Sequence, residues 1–127
     1  MGRVKAGRPA RLAGTVKESV RIIATGSGGS NRIRSAILQV LINLLDYDMD
    51  IGQAVEQERV HYESGTFNVE YHLTANDLRL LEKTFSNYRL WPRKNLFFGG
   101  AHSVMKDAKG ELRGKGDSRR GGVCESV

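Results

Sequence analysis

Apolar residues crowd the stretch from Val16 to Thr25 and stop at a run of glycines, which predicts a buried strand. After Gly26-Ser27-Gly28-Gly29-Ser30-Asn31, the residues Ile33, Ala36, Ile37, Val40, Leu41, Leu44 and Leu45 recur at helical spacing, so a helix is expected from about Arg32 to Tyr47. Leu38 and Ile42 widen its apolar stripe until it needs cover on more than one side, as a central core helix does. Asp50 followed by Gln53 has the form of a helix cap, with Ile51, Ala54 and Val55 facing inward from a short second helix. Phe67, Val69, Tyr71 and Leu73 then alternate with Asn68, Glu70 and His72, the period of a half-buried strand.

Thr74 and Asp77 open a third helix, Leu73 and Leu78 sit at hydrophobic-staple spacing, and Leu81 and Phe85 continue the same face. Tyr88 to Trp91 reads as a short strand cut off by Pro92. Ala101–Lys106 and Glu111–Lys115, joined by Asp107-Ala108-Lys109-Gly110, read as a hairpin. The order strand, helix, helix, strand, helix, strand, hairpin predicts an α/β (α+β) domain with helices packed on a mixed sheet. From Gly116 onward the chain is too polar and glycine-rich to pack by itself.

Composition divides the chain further. At 127 residues and 39% hydrophobic content it suits one modest domain. Lys and Arg total 20 against 14 acids, but the excess is uneven. Arg3, Lys5, Arg8, Arg11 and Lys17 have no acid among them, so residues 1–17 are expected to form a flexible basic arm. Residues 18–116 would be the folded region and 117–127 a Gly/Arg-rich tail. The arm holds no aromatic residue on which a base could stack, which argues against nucleic acid. Cys124 is the only cysteine and can make no intrachain disulfide. No apolar run approaches the roughly 18 residues of a membrane span, and the compartment stays open.

Chemistry is concentrated at the glycine turn. A strand entering Gly-Ser-Gly-Gly-Ser-Asn and leaving as a helix lets a ligand approach backbone N–H groups that have no helical acceptor, an arrangement suited to an anion or oxyanion. Glycine in such turns is also used for purely steric reasons. The turn is neither a Walker loop nor a dinucleotide fingerprint. His61, His72 and His102 fit no metal spacing, and no cofactor site is expected. Ser27 or Ser30 with His61 and Asp46 makes a triad on paper only, without the Gly-x-Ser-x-Gly elbow. Asp46, Asp48 and Asp50 lack the glycine and distal glutamate of a calcium loop.

Thr25-Gly-Ser-Gly-Gly-Ser-Asn-Arg-Ile33, Ile37-Leu-Gln-Val-Leu-Ile-Asn-Leu-Leu-Asp46, Met49-Asp-Ile51, Ala54-Val-Glu56, Phe98-Gly-Gly-Ala-His-Ser-Val104 and Gly116-Asp-Ser-Arg-Arg-Gly-Gly122 occur in order. Together they resemble the C-terminal part of the gamma-glutamyltransferase (glutathione hydrolase) small subunit, over roughly residues 19 to 122. Gln57-Glu-Arg-Val-His61 falls on that family's Ala-Pro-Arg-x-His segment, with Glu58 in place of proline, and Arg59 and His61 are read as structural.

The resemblance implies part of an N-terminal-nucleophile hydrolase αββα sandwich. It implies gamma-glutamyl transfer or hydrolysis through an acyl-enzyme on an N-terminal threonine. Gly28 and Gly29, or Gly29 and Ser30 in the shifted register, would be the oxyanion donors. Thr15 and Thr25 are the only threonines before the first helix and neither is N-terminal, so no nucleophile is assigned and the chain alone is expected to be inactive. A gamma-glutamyl, glutathione-like substrate would require a complementary, large-subunit-like chain; self-association is the other expectation, and no membrane partner is. The alternative reading is a non-catalytic module that binds an acidic partner or nucleic acid through its basic arm.

Overall fold

The computed structural model describes residues 2–8, 19–70 and 73–126. Strands β1 (Gly2–Arg8), β2 (Ser19–Gly26), β6 (His102–Lys106) and β7 (Leu112–Lys115) form an antiparallel sheet in the order β1-β2-β6-β7. Strands β3 (Val60–Glu63), β4 (Thr66–Glu70) and β5 (Tyr88–Trp91) form a second sheet, with β4 and β5 parallel. Between β2 and β3 run helices α1 (Ile33–Leu45) and α2 (Ile51–Glu56); α3 (Ala75–Thr84) joins β4 to β5. The expected α/β class is therefore present, as is the expected order of elements apart from an added strand before β4.

The core lies between α1, α2 and the four-stranded sheet. Ala36, Val40 and Leu44, spaced along one side of α1, meet Ile51, Ala54 and Val55 of α2, Ile23 of β2, and Ala101. Removing such apolar surface from water stabilises the fold by about 25 cal/mol per Å². Away from this contact, Leu38 of α1 is 58% exposed among the described residues.

Caps fix the helix starts as expected. Asp50 accepts from the Gln53 amide (3.0 Å), and Thr74 and Asp77 bond reciprocally as a capping box. Among the described residues no helix is long and apolar enough to cross a membrane.

Three expectations need correction. Residues 2–8, assigned to a flexible arm, pair with β2 along the whole strand, Gly2 opposite Thr25 through Arg8 opposite Ser19. The rest of that arm, and Tyr71 and His72 of the expected strand, lie outside the described residues. The single strand near Phe67 is a hairpin instead: Ser64 (φ +50°) and Gly65 (φ +78°) make a left-handed two-residue turn that folds β3 onto β4. The tail beyond Gly116 packs as well, because charge rather than apolar surface anchors it: Asp117 and Arg119 are buried.

Candidate functional site

The glycine turn leaves β2 at Gly26 and reaches α1 at Ile33. Gly28, Gly29 and Ser30 are exposed, and Gly29 has φ +127°, a conformation side chains rarely adopt. Ser30 carbonyl accepts from Ile33 N–H at 3.2 Å. Among the described residues no carbonyl accepts from the N–H groups of Gly28 or Gly29. Both glycines are exposed, and among the described residues nothing caps their amides.

A second glycine pair sits against the first. Gly100 N–H donates to Ser27 Oγ at 3.2 Å, and Gly99 (φ +81°) is so close that a Cβ would lie 2.7 Å from that oxygen and 3.1 Å from Ala36. Close approach explains glycine at both positions. Arg120 lies over this junction. A Cβ at Gly100 would stand 2.5 Å from Arg120 Cδ, one at Gly28 3.3 Å from Nη1, and one at Gly29 3.6 Å from Nη2. The stem therefore rests on Gly100 and the guanidinium faces both turn glycines. It is solvent-exposed, and among the described residues no carboxylate pairs with it.

What fixes the Gly99–Gly100 turn is a buried ionic cluster beneath it. Arg59 Nη2 contacts Asp117 Oδ2 at 2.7 Å and Arg119 Nη1 contacts Asp117 Oδ1 at 3.2 Å, while Arg119 Nε donates to Glu70 Oε1 at 2.8 Å. Two guanidinium and two carboxylate groups balance in charge. Further hydrogen bonds run to the backbone: Arg59 donates to Phe98 and Val55 carbonyls, Arg119 to those of Val55 and Gln57, and Asp117 accepts from Ala101 N–H, while Arg59 Nε is buried without a hydrogen-bond partner. Burial alone would raise the Asp117 pKa, but Arg59 and the Arg119 and Ala101 amides hold it below the usual aspartate value. Burial and the neighbouring Arg119 charge lower the Arg59 pKa. Residues 98 and 101 are gripped from below, so the intervening glycines are fixed against Ser27.

The other candidates disperse. His61 joins neither Ser27, Ser30 nor Asp46; its Nδ1 lies 2.8 Å from Ser35 Oγ and its Nε2 3.5 Å from Glu63. Asp46 ends α1, Asp48 meets Arg21 at 3.4 Å, and Asp50 caps α2. His102 Nδ1 accepts from Asp117 N–H at 3.0 Å. Thr25 is buried (1% exposed) against Ser103. Among the described residues no His, Cys, Asp and Glu group could hold a metal ion. Arg120 was missed by sequence reasoning. It lies inside the Gly116-Asp-Ser-Arg-Arg-Gly-Gly122 string that carries the resemblance, but that string gave it no role and composition places it in a tail.

Two small sheets with packed helices, in a mixed α/β arrangement, match the fold of N-terminal-nucleophile hydrolases. The transpeptidase CapD of Bacillus anthracis shares that fold at TM-score 0.74 and 24% identity, over 99% of this chain and 72% of that one. Cephalosporin acylase from Bacillus halodurans shares it at TM-score 0.70 and 17% identity, over 84% and 22%. The gamma-glutamyltranspeptidase family model matches residues 12–127, and the chain belongs to that family. It is 30% identical over 106 residues to the glutathione hydrolase proenzyme of Escherichia coli (strain K12), covering 82% of this chain. The chain spans 18% of that relative's length.

Proposed function

We propose that this chain supplies the oxyanion half of a gamma-glutamyl transfer or hydrolysis site, and that the threonine nucleophile comes from polypeptide outside these residues. The reading rests on one observation above all: two consecutive exposed glycines whose N–H groups have no acceptor among the described residues, beside a guanidinium that has no partner among them either. Such groups favour negative charge on an attacked carbonyl oxygen, and their preorganisation costs nothing during reaction. Gly28 and Gly29 are the proposed donors, with Gly29 and Ser30 as the alternative register. Arg120 adds charge to the same place and offers a carboxylate of the gamma-glutamyl substrate an anchor.

The gamma-glutamyl acyl group would pass from the donor's amide nitrogen to the threonine oxygen, the hydroxyl proton going to the departing amine, and then to water or an acceptor amine, which returns a proton to the threonine. A complementary chain carrying the threonine would also cover the exposed Leu38 of α1. No observation favours the alternative of a module binding acidic partners or nucleic acid.

The test is a gamma-glutamyl anilide assay with and without a co-expressed Thr-led segment. The chain alone should be silent, and the complemented protein active. Loss of one oxyanion donor costs about 10²–10³ in turnover, so Gly29→Pro in the active complex should show at least that loss. Robust turnover by the chain alone, or activity unchanged in Gly29→Pro, would refute the assignment.

A further inference from the structure

Glycine has no side chain with which to hold its own conformation, so an open turn built on Gly28 and Gly29 must be held from outside. Its incoming limb is held at Ser27 by the Gly100 amide. Its outgoing limb runs through Asn31 and Arg32, and both meet one carboxylate. Glu63, the last residue of β3 in the other sheet, accepts from Asn31 Nδ2 at Oε1 (2.8 Å) and from Arg32 Nη1 at Oε2 (3.2 Å).

Arg32 is held on another side too: its guanidinium carbon is 4.2 Å from the Phe97 ring centre, and that ring stacks on Trp91 at 4.6 Å. Behind Glu63, the buried His61 places Nε2 at 3.5 Å from the same Oε2; that nitrogen makes no hydrogen bond, while Nδ1 is engaged with Ser35. Asn31, Arg32 and His61 are the polar and charged groups facing the carboxylate.

We propose that Glu63 is a positioning residue, reaching from the three-stranded sheet to fix the outgoing limb of the glycine turn and with it the direction of the Gly28 and Gly29 N–H groups. This rests on reading the turn as an oxyanion site, but the hold itself is measurable apart from that reading. The Asn31 hydrogen bond, against the opposing effect of burial and with the His61 and Arg32 charges, keeps the Glu63 pKa below the usual glutamate value. The hold is therefore complete above the ordinary glutamate range and is released as pH falls through the lowered value.

The experiment is backbone NMR of the full ¹⁵N-labelled chain. In the native sequence, Gly28 to Ser30 should behave as rigid backbone, with order parameters near about 0.85, and in Glu63→Ala they should fall towards about 0.6 or less. Gly110 and Gly121 should stay unchanged. Glu63→Gln keeps an acceptor for Asn31 but no charge for Arg32. It should loosen the turn less than Glu63→Ala does and abolish the acid-range titration of the Gly28 and Gly29 amide shifts that the native chain shows. Unchanged order parameters at Gly28–Ser30 in Glu63→Ala would overturn the proposal, as would an acid titration of the turn that persists in Glu63→Gln.

Inorganic phosphate, followed at the same amides, separates the two ideas. A turn that loosens in Glu63→Ala yet never takes phosphate in the native chain leaves the hold standing and removes support for the oxyanion reading. Equal phosphate binding by native and Glu63→Ala chains does the reverse.

Discussion

Arg119 and Arg120 are neighbours in sequence and meet opposite environments. The Arg119 side chain is fully buried, and every one of its nitrogens is bonded: to Glu70, to Asp117 and to the carbonyls of Val55 and Gln57. The Arg120 guanidinium lies in the open over Gly28 and Gly29, where no group of the described chain answers it. The same contrast holds for the backbone on each side. Ala101 N–H is consumed by Asp117, whereas the Gly28 and Gly29 N–H groups have no acceptor among the described residues. A group saturated as Arg119 is fixes geometry and offers nothing to a ligand; an unsatisfied one can bind only if its neighbour holds it still. The ionic cluster is thus read as the support of the glycine turn and the turn as the place of chemistry.

The largest effect should come from opening the saturated side. Arg119→Ala leaves Glu70 and Asp117 with less compensation in a buried place, and breaking a buried pair in this way costs about 3–5 kcal/mol. Chemical denaturation should show that loss as a lower midpoint. Because the cluster grips residues 98 and 101, the Gly99 and Gly100 amide resonances should move as well. A loss under about 1 kcal/mol, typical of exposed pairs, would show that the cluster is not a support.

Opening the unsatisfied side should do the reverse, with little effect on folding and a specific effect on anions. Arg120→Ala should change stability by no more than about 0.5 kcal/mol, as substitutions of exposed residues usually do. Hydrogen bonds to charged groups contribute about 1.5–3 kcal/mol, so affinity for a small carboxylate such as glutamate, read at the Gly28 and Gly29 amides, should fall about tenfold or more. Equal affinity in both chains would leave Arg120 without a role at the turn.

How far these regions were legible in the sequence follows from what held them together. Helices α1, α2 and α3 carried their own signals: apolar spacing from Ile33 to Leu45, and caps at Asp50 and Thr74 that the structure reproduces bond by bond. The glycine turn was visible because its residue type announces its backbone. The β3–β4 hairpin was missed although Ser64-Gly65 is a turn signal, because β3 alternates His61 and Tyr62 and shows no apolar face; the buried His61 is held by Ser35 and lies edge-on to Phe97. The ionic cluster was invisible for a deeper reason. Arg59, Glu70, Asp117 and Arg119 are scattered over sixty positions of chain, and each by itself is a surface residue type. The resemblance marked the Gly-Asp-x-Arg segment, but only coordinates show that Asp117 and Arg119 close on Arg59 and Glu70, and that Arg120 then falls across the glycines.

The smallest effect sits at the rim between the two regions, where Glu56 ties the tail to α2. Its carboxylate accepts from Ser118 Oγ at 2.6 Å and from Ser118 N–H at 3.0 Å, and it contacts Lys94. Burial would raise its pKa, but Lys94 and Ser118 outweigh that and bring it from the ordinary 4.5 to about 2. A carboxylate with a depressed folded-state pKa contributes stability that is fully present above its unfolded value and is lost as pH falls through the folded one. The relevant window is therefore the descent from 4.5 to about 2. The pair is partly exposed, with Glu56 and Lys94 side chains 22% and 28% accessible, so solvent screening keeps its contribution on the order of 1 kcal/mol.

Thermal denaturation across that window should show the native chain losing stability faster with acid than Glu56→Gln, the two curves converging below about pH 2. Asp117, whose pKa is also lowered, acts in the same direction in both chains, so the difference between the curves isolates Glu56. Parallel curves would mean that Ser118 and Lys94 do not hold this carboxylate, and that the tail reaches Arg120's position through the buried cluster alone.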